Sequence, residues 1–472
     1  MAKATHIAVI SIPSFSHQAS IVAFCKRLVH LHPNIHVTCI FPTIGTPNPS
    51  SFAFLDSLPS NIDYTFLHPV NKQDLPQDVS QAVQCNLAVS QSMPYFRDTL
   101  GSLCSTTPLV ALVADPFANE ALKIAKEFNL LSYVYLPISA MALALLLHLP
   151  TLHEEVSCEY KDHTRPIQIP GCVPIHGRDL PEHFEDRSNV AYDLILQYSK
   201  RISTADGFLV NSFLEMEEGT LKAFQECNRA NKNAPVYLVG PIIQIGPINE
   251  SNGSECLRWL ENQKPKSVLY VSFGSGSTVS QEQLDQLALG LELSGQKFLW
   301  VLRAPSDPRN CNYLGSTNND PLLFLPHGFL ERTKGQGLVV PFWAPQTQIL
   351  SHTSTGGFLT HCGWNSILES ILAGVPMIAL PLLFGELMMN AILLTEGLNV
   401  ALRPKCCGNG IVEKEAIAEV IKGLLVGEQG HGARQRIVEL KEAAVDALKD
   451  DGSSTRALSQ FSTEVKNFVI NH

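Results

Sequence analysis

The sequence predicts an α/β protein built as two parallel-sheet domains that face each other across a cleft. Three observations carry this prediction. Short apolar runs alternate with segments of helical period along most of the chain, the pattern of buried parallel strands and their crossover helices. The alternation stops once, over 241–254, where Gly, Pro, Asn and Ser crowd together, and then begins again, as at a boundary between domains. The 472 residues suffice for two or three domains at roughly 150 residues each.

In the first half, His6–Ile12 is a short apolar run that fits a buried strand, and Ile21, Phe24 and Leu28 follow at helical spacing. His36–Phe41 repeats the strand signal, closed by Pro42, Gly45, Pro47 and Pro49. Ile62–Leu67 is a third strand, followed by a helical region from Val79 to Leu100. Leu109–Ala114 runs directly into Asp115-Pro116. Tyr133–Leu136, Gly207–Ser212 and Val236–Pro241 complete the strands of this half.

The second half restarts with Ser267–Ser275, a buried strand ending in a Gly/Ser turn. Gln281–Leu293 reads as a helix, Phe298–Arg303 as a strand and Ala304–Pro321 as a long polar loop. After the strand Leu338–Phe342 comes WAPQTQILSHTSTGGFLTHCGWNSILESILAGVPMIALPLLFGEL, Trp343–Leu387. Two or three helices follow, one with Ile437, Leu440, Ala444 and Leu448 on a face, the last with Leu458, Phe461, Val465 and Phe468. Asp451-Gly452-Ser453-Ser454 separates them as a stop and restart.

The stretch Trp343–Leu387 carries the chemistry. Gly356–His361 is a strand signal and Asn365–Leu372 a helical one, so HCGW is a tight strand-to-helix turn. Ligands of parallel sheets sit beyond the carboxyl ends of strands. A helix N-terminus there offers free N–H groups and partial positive charge to a phosphate. Asn365 and Ser366 add side-chain donors, and His361 ends the strand where a diphosphate would lie. Glu369 is one turn on, on the face of Asn365 and Ser366; a carboxylate accepts two hydroxyls, which suits a ribose. Trp343 offers a flat ring to a base. Each residue alone reads equally well as core or cap; the set at this spacing reads as a nucleotide-sugar site.

Composition narrows the alternatives. Apolar residues make up 45% and charged ones 17%, ordinary for a globular protein. With 34 Lys plus Arg against 44 Asp plus Glu the net charge is −10; with no basic block, nucleic acid and anionic membrane are excluded as partners. The 12 Cys are irregularly spaced, without CxxC, which suits reduced thiols in a cytoplasmic protein. The longest apolar run, Ile138–Leu147, is shorter than the roughly 20 residues a membrane helix needs, so no span is expected. Gly274-Ser275-Gly276 follows a strand, but Val279 stands where a dinucleotide fingerprint needs its third Gly.

The stretch resembles the signature of plant family 1 UDP-glycosyltransferases, enzymes of the GT-B fold with two Rossmann-like domains. YVSFGS, ECLRWLENQ, FLPHGFLERT and LKDDGSST resemble the same family, so the likeness covers nearly the whole chain. HLPTLHEEVSCEY and IPGCVPIHGRDL are similar to its branch acting on small phenolics. The resemblance implies that Trp343 stacks on uracil while the Ala344 backbone reads its edge, and that Gln346 and Glu369 hold the ribose. Ser275, His361, Asn365 and Ser366 would hold the diphosphate, and Trp364 and Glu386 would meet the sugar hydroxyls. His17 would be the general base, since imidazole titrates near neutrality, and Asp115 its orienting partner. Phe15, Phe117 and Phe384 would line the acceptor pocket. The implied domains are an acceptor-binding 1–243, a linker 244–253, a donor-binding 254–454 and a last helix, 455–472, packing back on the first domain. The implied partners are a small phenolic acceptor and a UDP-sugar, by default UDP-glucose, used as a co-substrate. No cofactor, no metal and a monomer are expected.

The chain departs from the family pattern in four places. The first loop reads Ser14-Phe15-Ser16-His17-Gln18-Ala19-Ser20, where the family carries Gly around the residue before His and Pro three after it. Leu380 replaces a Trp late in the signature, and Glu386-Leu387 replaces an acidic-Gln pair. One extra residue lies between Pro376 and Asn390. Two registers therefore compete: Glu386 in the acidic place, kept by the downstream Met389-Asn390-Ala391, or Gly385 there with Glu386 in the Gln place. These changes leave donor identity open. They also leave open attack by carbon rather than oxygen, and a protein that binds UDP-sugar without turnover.

Overall fold

The computed structural model describes residues 5–47, 54–55, 58–76, 81–231, 234–243, 250–274, 278–305, 320–382, 385–406 and 410–471. The first half runs β1 Thr5–Ile10, α1 Phe15–Leu31, β2 Ile35–Phe41, β3 Ile62–Phe66, α2 Gln81–Thr106, β4 Leu109–Ala114, α3 Ala121–Glu127, β5 Leu131–Leu136, α4 Ala140–Glu155, α5 Val190–Ile202, β6 Gly207–Val210, α6 Leu214–Asn231 and β7 Val236–Leu238. The second runs α7 Glu250–Glu261, β8 Val268–Ser272, α8 Gln281–Ser294, β9 Lys297–Leu302, α9 Phe329–Arg332, β10 Gly337–Pro341, α10 Gln346–Ser351, β11 Thr355–Thr360, α11 Trp364–Ala373, β12 Met377–Ala379, α12 Leu387–Ile392, β13 Ala401–Leu402, α13 Lys414–Leu425, α14 Gln429–Ala447 and α15 Ser453–Asn471.

The strands form two sheets, ordered β3-β2-β1-β4-β5-β6-β7 and β10-β9-β8-β11-β12-β13, with every described pair parallel. This is the GT-B arrangement of two Rossmann-like domains. Each sheet is buried on both faces, which is why its strands read as continuous apolar runs. On β1, Ala8 and Ile10 enter one core and Ile7 and Val9 the other. On β8, Val268 and Tyr270 enter one and Leu269 and Val271 the other.

In each sheet the strand order reverses once. β1 lies between β2 and β4, and β8 between β9 and β11. The loops leaving the two strands of such a pair turn in opposite directions and open a crevice at their carboxyl ends. The described residues of the predicted site gather at the ends of these strands, with His17 and Asp115 at β1 and β4 and His361 at β11.

The structure differs from the sequence expectation in two places. α7 begins at Glu250, inside the stretch read as linker; Cys256 and Leu260 on its buried face carry the helix back through Ser251-Asn252-Gly253. β12 and β13, three and two residues long, were too short to signal by period. Most of the polar loop, 306–319, lies outside the described residues. α15 packs against β1, β4 and β7, placing Leu458, Phe461 and Val465 in the core of the first sheet. The described cysteines are unbridged. No helix among the described residues is long and apolar enough to cross a membrane.

Candidate active site

The first half-site is built where β1 and β4 end side by side. His17 lies in the first turn of α1. Asp115 directly follows β4 and is 1% exposed. Its backbone N–H donates to Ile10 O at 2.8 Å, tying it to the end of β1. Its Oδ1 accepts the Phe117 N–H at 3.0 Å, and its Oδ2 accepts from His17 Nδ1 at 2.8 Å. A carboxylate can only accept, so Nδ1 carries the proton and Nε2 is left with a free lone pair. Burial lowers the pKa of His17, but the charge and hydrogen bond of Asp115, with help from Glu386, outweigh it and raise the pKa overall. Phe117 meets the His17 ring edge-on at 5.5 Å and stacks on Tyr198 at 6.3 Å. Phe15 packs edge-on against Phe54. Both Phe15 and Phe117 are 47% exposed, an apolar wall open to an aromatic guest. Phe384 lies outside the described residues.

The second half-site sits where β8 and β11 end. The turn from β11 into α11 places Cys362 at φ 69°, in the left-handed region. The turn is held by the Cys362 N–H donating to Thr360 Oγ1 at 3.1 Å and by Asn390 Nδ2 donating to the Cys362 carbonyl at 3.0 Å. Glycines box in the His361 ring: a Cβ on Gly363 would lie 2.3 Å from its Nε2, and one on Gly274 2.7 Å from Cε1. Burial, opposed by a hydrogen bond to the Ser272 backbone and reinforced by the Arg303 charge, lowers the His361 pKa to about 4. The ring is therefore neutral near pH 7, with a single N–H and no charge. His361 Nδ1 and Asn365 Oδ1 are buried polar atoms with no partner among the described residues. Buried polar atoms are normally paired, so an unpaired couple at a helix N-terminus marks a place for a polar ligand. Ser275 lies outside the described residues.

Around that helix end the other groups gather. Phe342 has φ 69° and is 52% exposed, and Trp343 after it is 36% exposed, so its ring is available for stacking. Ala344 is buried. Gln346 accepts from Tyr270 Oη at 3.3 Å, and its Nε2 donates to Glu369 Oε2 at 2.8 Å and Ser366 Oγ at 2.9 Å. Burial, opposed by this Gln346 bond, raises the Glu369 pKa to about 7.

At the sugar end the residues divide. The Trp364 indole is buried, and its Nε1–H donates across the domains to Asn211 O at 2.7 Å. The indole donor is thus committed, and only its backbone N–H, in the first turn of α11, remains for a ligand. Glu386 stands at the N-cap position of α12 without a side-chain capping bond and interacts electrostatically with His17 of the other domain. Leu380 and Leu387 lie in the apolar core, 5% and 6% exposed. Glu386 interacts with His17 and Glu182 of the first domain while Leu387 is buried in the core, an arrangement that both registers allow.

Sequence reasoning missed four residues. Asn211 receives Trp364. Asn390, in α12, joins Cys362 to Ser139 Oγ at 3.3 Å; it stood in the signature and was read only as a register mark. Arg303 directly follows β9 and donates from Nη1 to Gly274 O at 3.2 Å. Glu182 accepts the Gly385 N–H from across the cleft at 2.7 Å, and nothing in its surrounding sequence signalled that reach.

A family model described as UDP-glucoronosyl and UDP-glucosyl transferase matches residues 48–424. The chain is 49% identical over 466 residues to a hydroquinone glucosyltransferase of Rauvolfia serpentina, covering 98% of each. It is 48% identical to UDP-glycosyltransferase 72B1 of Arabidopsis thaliana, covering 97% of this chain and 95% of that one. Its fold matches UGT2 of Phytolacca americana, solved with UDP-2fluoro-glucose and pterostilbene, at a TM-score of 0.87 and 41% identity, over 98% of this chain and 100% of the other.

Proposed function

The chain belongs to the UDP-glycosyltransferase family, and from that premise we propose that it moves glucose from UDP-glucose to a hydroxyl of a small phenolic, with inversion and with His17 as general base. The observation that carries the reading is the His17 Nδ1–Asp115 Oδ2 bond of 2.8 Å in the domain opposite the α11 N-terminus. The named acceptors of the relatives, hydroquinone and pterostilbene, support a phenolic, and the exposed rings of Phe15 and Phe117 suit one.

The proposed steps balance as follows. Nε2 of His17 takes the phenol proton, and Asp115 stabilises the imidazolium. The phenolate oxygen attacks the anomeric carbon as the bond from that carbon to the diphosphate oxygen breaks, and UDP departs with the bonding pair. Asn365, Ser366, His361 and the free N–H groups of α11 take up the charge on the diphosphate. Uracil stacks on Trp343 beside Ala344, the ribose binds Gln346 and Glu369, and the sugar hydroxyls meet Glu386 and the Trp364 backbone. The domain division proposed is 1–243, a linker shortened to 244–249 by the start of α7, 250–454 and 455–472, supported by the two sheets and by α15 packing on the first. The protein acts as a monomer in the cytoplasm.

The test is a matrix of UDP-sugars against simple phenols, monolignols and flavonoids, read by UDP release, product mass and acid stability of the linkage. The expected products are acid-labile β-glucosides. An acid-stable product would mean attack by carbon. UDP binding without UDP release across the panel would overturn turnover altogether.

A further inference from the structure

We propose that Glu182 is a donor-specificity residue: it reaches from the first domain to the sugar-end loop, where its carboxylate beside Glu386 admits a neutral hexose and disfavours a hexuronate. The inference rests on the sugar site assigned above and adds the class of sugar that it takes.

Leu387, in the Gln place of the family pattern on one of the two registers, is turned into the core and cannot touch a sugar. The cleft side of that loop is instead met from outside the second domain. Glu182 Oε2 accepts the Gly385 N–H at 2.7 Å, a contact between residues 203 apart in sequence. Gly385 immediately precedes Glu386 and has φ 54°, a left-handed turn suited to Gly. The Glu182 carboxylate therefore both fixes this turn and brings a second carboxylate to the side of Glu386.

Glu182 is held there by its own neighbours. It begins a single helical turn, Glu182–Phe184. Phe184 at the end of that turn is buried against Tyr160 and Tyr192, with ring centroids 6.1 Å and 6.0 Å away. A side chain set on such an anchor loses little freedom when a ligand arrives.

The charges around Glu386 then decide the sugar. Those it interacts with are His17, Glu182 and His183, and His183 Nε2 lies 3.5 Å from Glu182 Oε1. Among the described residues no Lys or Arg is one of them. A hexose offers hydroxyl donors, which two carboxylates accept well. A hexuronate adds a negative group at C6, next to two carboxylates in a partly desolvated cleft where like charges repel strongly.

Calorimetric binding of UDP-glucose, UDP-glucuronate and UDP to the full chain tests this, with thermal melting as a check on folding. E182Q keeps an oxygen for Gly385 and loses the charge. It should tighten UDP-glucuronate relative to UDP-glucose by about tenfold, the order expected from removing one nearby like charge, and leave UDP unchanged. E182D, which keeps the charge, should keep the wild-type ratio. An unchanged ratio in E182Q, the same shift in E182D, or an equal loss for all three ligands overturns the proposal. These are binding measurements, so they stand apart from the catalytic reading: a wild type that binds donor but transfers nothing to any phenol fails that reading and leaves the specificity test intact.

Discussion

His17 and Asp115 meet because β1 and β4 are neighbours in the sheet, although 98 residues separate them in the chain. Their coupling has a definite sign. Burial opposes charge on His17, yet Asp115 and Glu386 raise its pKa above the ordinary 6.5. A base must be neutral to accept a proton, so kcat/KM for a weakly acidic phenol should rise with pH along a limb centred above 6.5. D115N removes the raising charge, and should move that limb to lower pH while lowering its plateau. H17A should cost about 10²–10⁴ in kcat/KM with UDP binding intact; unchanged turnover would remove His17 from the role. The same pair stabilises the fold below pH 6.5, and that contribution fades as pH rises through the raised pKa. Glu369 gives a second pH test. Burial raises its pKa to about 7 from an ordinary 4.5, so charging it costs the unliganded fold stability as pH rises across that range. Two ribose hydroxyls would favour the carboxylate, so UDP affinity should fall as pH drops below about 7. Calorimetry should find that dependence absent in E369Q. Both residues were legible as chemical types in sequence. Their partners and burial, which set the pKa values, come only from the fold.

The strand-to-helix turn at 361–363 was legible as an element, because a Gly-bounded strand and a helical period meet there. What holds it was not. Its left-handed Cys362 is pinned by Asn390, which also accepts from Ser139, the N-cap of α4 in the first domain. Beside it Trp364 donates to Asn211 O. The turn proposed to bind phosphate is therefore braced by the first domain through two polar contacts. N390L should strand the Cys362 carbonyl and leave the Ser139 hydroxyl proton without its acceptor, at a cost of about 1–3 kcal/mol. UDP-sugar binding should weaken with it, because the α11 N-terminus would lose its fixed aim. Urea unfolding and donor titration measure the two effects; a variant destabilised to this degree but binding donor normally would show that the brace serves stability alone. The excursion between α4 and α5 was opaque for a related reason. It has no period because it is tied by polar contacts: Arg187 donates from Nη2 to His153 O at 2.7 Å and from Nη1 to Cys158 O at 2.8 Å, and lies over the Tyr160 ring at 4.8 Å. Such ties join residues tens of positions apart and leave no local pattern.

At the scale of the whole molecule, alternation predicts two sheet domains facing across a cleft, but the crevice in each sheet needs the strand order, and a tie between the halves lies in α15. α15 leaves the second domain and buries Leu458, Phe461 and Val465 in the core of the first. Phe461 meets Tyr133 edge-on at 4.8 Å, and Arg27 Nη2 donates to Thr455 Oγ1 at 3.0 Å. One apolar cluster also runs from Met141 and Phe213 of the first half to Trp364 and Ile392 of the second. Each domain thus completes its core with residues from the other side, and the wild type should melt in one cooperative transition despite having two sheets. Phe461→Ala removes a buried ring, typically worth about 3–5 kcal/mol, from the first domain only. Its calorimetric melt should split in two, the earlier transition belonging to the first domain. UDP binds the second domain on the reading above, so it should raise the later transition and leave the earlier one nearly in place, since a ligand stabilises only the unit that binds it. A single transition that persists in the variant and rises as a whole with UDP would mean that the shared cluster, rather than α15, makes the molecule one folding unit.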